Sequence, residues 1–194
     1  MTTTTSPGIR DRFDLSPTVL IWLALVLVLV VGGIIVSADG GNLFAQSNVV
    51  NLLSRTSVLG FVALGQTLVI LCRSLDLSVG FTAALASIVG ATVMDGDPGR
   101  IVLGVAAALA VSAVIGLVNG VVIARLDVNP FIATLGMGLI IKGYLDTRYA
   151  GPVGAVPPAF QDFGYTRIWV VPVATVVMLL VALASGLLLG RTRA

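Results

Sequence analysis

The sequence of 194 residues contains no histidine and no glutamate, one cysteine (Cys72) and one lysine (Lys142). Without histidine there is no imidazole for general-base catalysis or metal ligation. A single cysteine excludes an intrachain disulfide and a cysteine-cluster zinc site. No G-x-x-x-x-G-K-[ST] surrounds Lys142, so the chain cannot itself hydrolyse ATP by a P-loop mechanism. Charge is scarce: 10% of the residues are charged, against about 25% in a soluble domain. All nine acids are Asp, and Asp76 alone has a claim to an intramembrane proton relay. What fills the chain instead is apolar, 57% of its residues. This composition excludes a soluble enzyme, a nucleic-acid module and a disordered protein, and leaves several membrane-spanning helices.

The few charges mark out the spans. Between Asp14 and Asp39 lie 24 uncharged residues, between Arg55 and Arg73 17, and between Asp76 and Asp95 18. Between Arg100 and Arg125 lie 24, between Asp127 and Lys142 14, and between Arg167 and Arg191 23. A bilayer needs roughly 20 apolar residues per helix. The first, fourth and sixth runs meet this directly, and the fifth does if Lys142 snorkels to an interface. The reading is an all-α polytopic membrane protein with about six transmembrane helices, near 18–38, 50–72, 77–94, 101–124, 129–147 and 168–190. Residues 1–17 form a cytoplasmic N-terminal segment and 18–194 the transmembrane domain. Val36-Ser37-Ala38 faintly resembles a signal cleavage site, but the apolar stretch before it exceeds the roughly 7–15 residues of a signal core, so the first run reads as an uncleaved span.

With the N-terminus in the cytoplasm, the inner segments hold Arg10, Arg12, Arg73, Arg125, Arg191 and Arg193, and the outer ones Arg55, Arg100, Arg148 and Arg167. This is a weak positive-inside bias. The longest connection, 148–167, carries Gly151, Pro152, Gly154, Pro157 and Pro158. It reads as an irregular outer loop with room for a short interfacial helix.

Three local features carry more. Gly104, Ala108, Ser112, Gly116 and Gly120 place a small residue at every fourth position of the fourth span, the spacing that lets helix backbones approach closely. The approach is either within one subunit or across a subunit interface. The polar segment 73–80 is wedged between two apolar runs. Asp76 or Ser78 can cap the third helix, with Arg73 as an ion-pair partner for Asp76, or the segment is a helix break lining a transport path. Asn129-Pro130 opens the fifth helix, Asn as cap and Pro in its first turn. Asn51, Gln66 and Asn119 lie in or beside spans and need hydrogen-bond partners.

Two stretches go beyond composition. GQTLVILCRSLDLSVG (65–80) and GLVNGVVIARLDVNPFIATLG (116–136) resemble signature regions of the membrane permease subunits of ribose/xylose/galactose-type sugar ABC importers. KGYLDTRYAGP (142–152), PPAF (157–160) and LLLGRTRA (187–194) are similar to the next segments of that family, so the resemblance spans roughly 45–194. It implies a permease subunit in the cytoplasmic (inner) membrane that forms part of the translocation pathway for a monosaccharide. Its partners would be the lipid bilayer, a second permease subunit (a homo- or heterodimer), a sugar-binding delivery protein and a separate ABC ATPase subunit. ATP and Mg would sit on the ATPase. No cofactor, metal, catalytic residue or nucleic acid is expected on this chain. Pathway candidates are Asp76, Ser78, Asn119, Asn129 and Thr134. Two departures stand out. The family has a small Gly-containing turn at 72–75, where Arg73 reads as an interfacial anchor or as a mark of a different sugar preference. Family permeases are also longer, with a cytoplasmic coupling segment beginning beyond a matching R-T-R, so the chain is expected to be a C-terminally truncated permease that does not support uptake alone. A secondary transporter or channel, a noncatalytic assembly protein and an inactive permease fragment are the alternatives.

Overall fold

The computed structural model describes residues 16–149, 151 and 153–191. Arg10, Arg12, Pro152 and Arg193 lie outside them. The chain divides at Val49/Val50 into two compact units. The first is dominated by helix α1 (Pro17–Ala38). Ser16 caps it, its hydroxyl accepting from the Val19 amide at 3.4 Å, and Pro17 fits the first turn, where its missing N–H costs nothing. No residue of α1 is buried, although nearly every one is apolar.

Helix α2 (Gln46–Leu71) starts at the end of the first unit and runs into the second. It begins four residues before the expected boundary. The polar turn Gln46-Ser47-Asn48 is helical because Asn42 organises the entry, accepting from the Phe44 amide, while Asn48 donates to the Leu43 carbonyl. The second unit continues with α3 (Val79–Met94), a 3₁₀ turn (Pro98–Arg100), α4 (Ile101–Leu126), α5 (Pro130–Arg148) and α6 (Pro158–Tyr165). A two-residue hairpin comes next, β1 (Arg167–Ile168) with β2 (Val171–Pro172), and then α7 (Val173–Arg191). The six expected spans each correspond to one long helix. Four are long and apolar enough to cross a membrane by length and composition: α1, α2, the 98–126 stretch and α7. Helix α3, with 16 residues, is about 24 Å long, just under a hydrocarbon core. The sixth span starts later than its uncharged run, because Pro172 disfavours helix at Val171 and leaves that residue in the hairpin.

Helices α3, α4 and α5 share a core of Leu85, Ile115 and Ile141, flanked by Phe81, Val89, Val111, Met137 and Leu145. The closest approach is between α3 and α4. A Cβ on Gly104 would lie 2.9 Å from the Gly90 carbonyl oxygen and overlap Met94, and one on Gly90 would touch the Gly104 carbonyl and Ala108. The small-residue stripe is therefore used at its N-terminal half, within one chain. Gly116 and Gly120 make no such approach within the chain: a Cβ at either would meet nothing within 4 Å. The loop before α6 is tied down at Gly154, whose φ of +75° only glycine adopts readily and whose Cβ would sit 2.5 Å from the α3 backbone at Ala91 and Thr92. The neighbouring Ala155 carbonyl accepts from the Gly96 amide at 2.8 Å. Helix α6 fills the place allowed for a short interfacial helix.

Candidate translocation site at the α2–α3 break

Helix α2 ends in a Schellman motif. The Arg73 amide donates to the Ile70 carbonyl at 2.8 Å and the Ser74 amide to the Val69 carbonyl at 3.1 Å, with Arg73 left-handed at φ 56°. The chain then runs non-helically to Ser78. Asp76 organises this run: one carboxylate oxygen, Oδ1, accepts from the Ser78 amide at 2.7 Å and from the Ser78 hydroxyl at 2.6 Å. Asp76 thus forms an Asx turn on Ser78, the N-cap residue, and neither Asp76 nor Ser78 makes the expected side-chain bond to an amide of the first turn of α3. The Arg73–Asp76 ion pair does not form. Among the described residues the ion pairs are Arg100–Asp97 and Lys142–Asp146, and Arg73 serves instead as the left-handed cap.

The break is held from two sides. From α4, Asn119 donates its side-chain amide to Ser78 Oγ at 3.1 Å. From α5, Thr134 Oγ1 accepts from the Leu77 amide at 3.1 Å and lies 3.2 Å from the Leu75 carbonyl and 2.9 Å from the Pro130 carbonyl. Gly138 lets α5 close on the start of α3, since a Cβ there would be 3.0 Å from the Phe81 ring and 3.5 Å from Ser78 Cα. Ser78, Asn119 and Thr134 are all buried. Four of the five expected pathway residues, Asp76, Ser78, Asn119 and Thr134, therefore form one cluster. Asn129 stands apart as the exposed N-cap of α5, accepting from the Phe131 amide at 3.0 Å.

The cluster borders a groove of about 500 Å³. Asp76, Asn119 and Thr134 give it a polar wall, and Gly116 and Gly120 leave room on the α4 side. Cys72 and Ser74, not among the expected site residues, line it too. Their only signal in the sequence is adjacency to a polar break, whereas the two glycines carried a signal that pointed to packing. A volume of this size suits a small molecule. The chemistry on offer is hydrogen bonding, with Asp76 Oδ1 used within the break. Among the described residues there is no cluster of metal-ligating side chains.

The distribution of polarity fixes the class of protein. Ser57, Ser78, Asn119, Thr134 and Thr175 are buried, while Val102, Leu103 and Leu117 on α4 and Leu139 and Ile140 on α5 stand exposed. Ser57 and Thr175 bond each other at 2.7 Å between α2 and α7. Polar side chains inside and large apolar ones outside are the reverse of a water-soluble core, and fit a solvent of hydrocarbon. The chain is a multi-pass α-helical membrane protein. It belongs to the family described as "Branched-chain amino acid transport system / permease component", which residues 48–194 match. It is 41% identical over 176 residues to the ribose import permease protein RbsC of Escherichia coli (strain K12), covering 88% of this chain and 54% of the relative. To the galactose/methyl galactoside import permease protein MglC of Haemophilus influenzae it is 34% identical, covering 82% and 51%. To the fructose import permease protein FrcC of Rhizobium meliloti it is 35% identical, covering 77% and 42%. The chain thus spans about half the length of the curated relatives it matches. No solved structure matches it. The resemblance to sugar importer permeases read from 65–80 and 116–136 is borne out.

Proposed function

We propose that the chain is a membrane-spanning permease component of an ATP-driven monosaccharide importer and contributes the α2–α3 break and the groove beside it to the translocation pathway. The observation that carries this reading is the coincidence of two independent lines. Relatives named for ribose, galactose and fructose import align with most of this chain, and the stretch that signals the resemblance folds into a polar cluster facing a groove inside a hydrocarbon-exposed bundle. Sugar hydroxyls donate and accept hydrogen bonds, and Asp76 and Asn119 are groups that can exchange with them as a sugar passes.

The reading carries partners with it: a second permease subunit, a sugar-delivery protein and an ABC ATPase that holds ATP and Mg. The ATPase would drive the membrane component between two states by binding them unequally. It also carries an orientation in the cytoplasmic membrane, with residues 1–17 and the 72–78 break on the cytoplasmic side. Labelled ribose, galactose and fructose uptake tests it, in cells lacking their own sugar permeases. These cells would produce the chain with a delivery protein, an ATPase and the remainder of a permease of the relatives' length. Uptake of at least one sugar, cut tenfold or more by Asp76→Ala without loss of membrane insertion, is the expected result. Correct insertion without uptake of any of the three would refute it.

A further inference from the structure

The 72–78 break separates two spaces. On one side is the groove bordered by Asp76, Asn119 and Thr134. On the other is a second groove of about 430 Å³, lined by Ile70, Arg73, Leu75, Asn129, Pro130 and Phe131. Ser74 borders both, so the segment is the wall between them. Its two charges face different ways, Arg73 toward the second groove and Asp76 toward the first.

What holds the wall to α5 is one hydroxyl. Thr134 Oγ1 takes the Leu77 amide hydrogen and has a single hydrogen of its own to give. Two carbonyls compete for it: Leu75, in the wall, and Pro130, one turn back in the same helix. Donation to the carbonyl four residues back is a standard local option for Thr in a helix. When the wall withdraws, the Thr134 hydrogen therefore still has a partner at 2.9 Å, and the buried hydroxyl is not orphaned. The wall takes its own internal bonds with it, since both Asp76–Ser78 contacts lie inside the segment. The bonds lost are the Leu77 amide to Thr134, Thr134 to the Leu75 carbonyl and Asn119 to Ser78.

We propose that Thr134 is the positioning residue that latches the 75–78 wall, and that its release joins the two grooves into one passage. The idea deepens the permease reading and rests on it for the passage, while the latch itself is measurable without sugar or nucleotide. Amide hydrogen exchange at Leu77 and Ser78 would be followed on the full chain in lipid nanodiscs, for the wild type, Thr134→Val and Thr134→Ser. A lost bond alone speeds exchange at Leu77 and leaves Ser78, whose amide is bonded to Asp76, unchanged. Release of the wall also brings water to the formerly buried Ser78, where its amide bond to Asp76 can open and exchange. The expected result is faster exchange at both amides in Thr134→Val, by several-fold to about tenfold, with Thr134→Ser close to wild type. A rise at Leu77 alone, or no rise, overturns the latch. Amides around Gly90 and Gly104 report whether the variant still packs. If Thr134→Val loses them, Thr134→Ala against Thr134→Ser decides the question by the same criterion. Uptake plays no part in this readout, so a failed transport assay leaves the latch standing.

Discussion

Arg73 and Ser78 lie five residues apart and predict substitutions of opposite sign. Arg73 occupies a left-handed position that an L side chain with a Cβ adopts at a cost of about 1–2 kcal/mol. Its side chain is exposed and forms no ion pair with Asp76. Arg73→Gly should therefore raise thermal stability in detergent by about 1 kcal/mol, and an unchanged or lower melting temperature would show that the guanidinium holds something else in place. Ser78 is the reverse case. Its hydroxyl bridges Asp76 and Asn119 in a buried position. Ser78→Ala strands a buried amide donor on Asn119, and the same melting assay should record a loss of about 1–3 kcal/mol. Of these two roles, the sequence revealed the polar hub but not the left-handed cap. Capping by Asp and Asn is local chemistry, legible from residue type and position. A positive φ at an arginine arises from the close of α2 and leaves no mark on the residue's own preferences.

At the scale of elements, charge spacing located the helices because charge is sparse in them, although Arg55 lies inside α2 and Lys142 and Asp146 inside α5. It misplaced their ends wherever a polar or proline residue decided the boundary. The turn at Gln46-Ser47-Asn48 is helical yet polar, and Val171-Pro172 is uncharged yet extended. The small-residue stripe shows the limit of periodicity. Spacing identifies a face, but only the path of the neighbouring helix says which part of the face is covered. Helix α3 meets α4 at Gly104 and stays beside it to Ile115 and Asn119, while Gly116 faces the groove instead. Gly104→Ala should accordingly destabilise the chain by about 1–3 kcal/mol, the range for overpacking, whereas Gly116→Ala should be within about 0.5 kcal/mol of wild type. Equal losses at the two sites, measured by unfolding in the same detergent, would place a further helix against Gly116.

For the whole molecule, the proposed six-span topology would put Leu126 and Tyr165, both exposed, on opposite sides of the bilayer. In a Cys72→Ala background, a cysteine at Tyr165 should react with an impermeant maleimide added outside intact cells, and one at Leu126 should react only after permeabilisation. Reaction of the Leu126 site from outside would invert the proposed orientation. Tyr165 is preferred to Gly154 as a reporter, because a side chain at Gly154 would collide with the α3 backbone.

The approach of Gly90 and Gly104 has a further consequence. Each glycine directs a Cα hydrogen toward the other's carbonyl, as the paired close distances from ideal Cβ positions show. Such carbon-donor contacts are weak, on the order of 0.5–1 kcal/mol each. In hydrocarbon, however, there is no water to compete for the two carbonyl oxygens. At the crossing point polarised C–H groups thus take the part that side-chain donors play elsewhere. An isotope-edited infrared band of the Gly90 carbonyl should move to lower frequency than that of a helical carbonyl facing lipid.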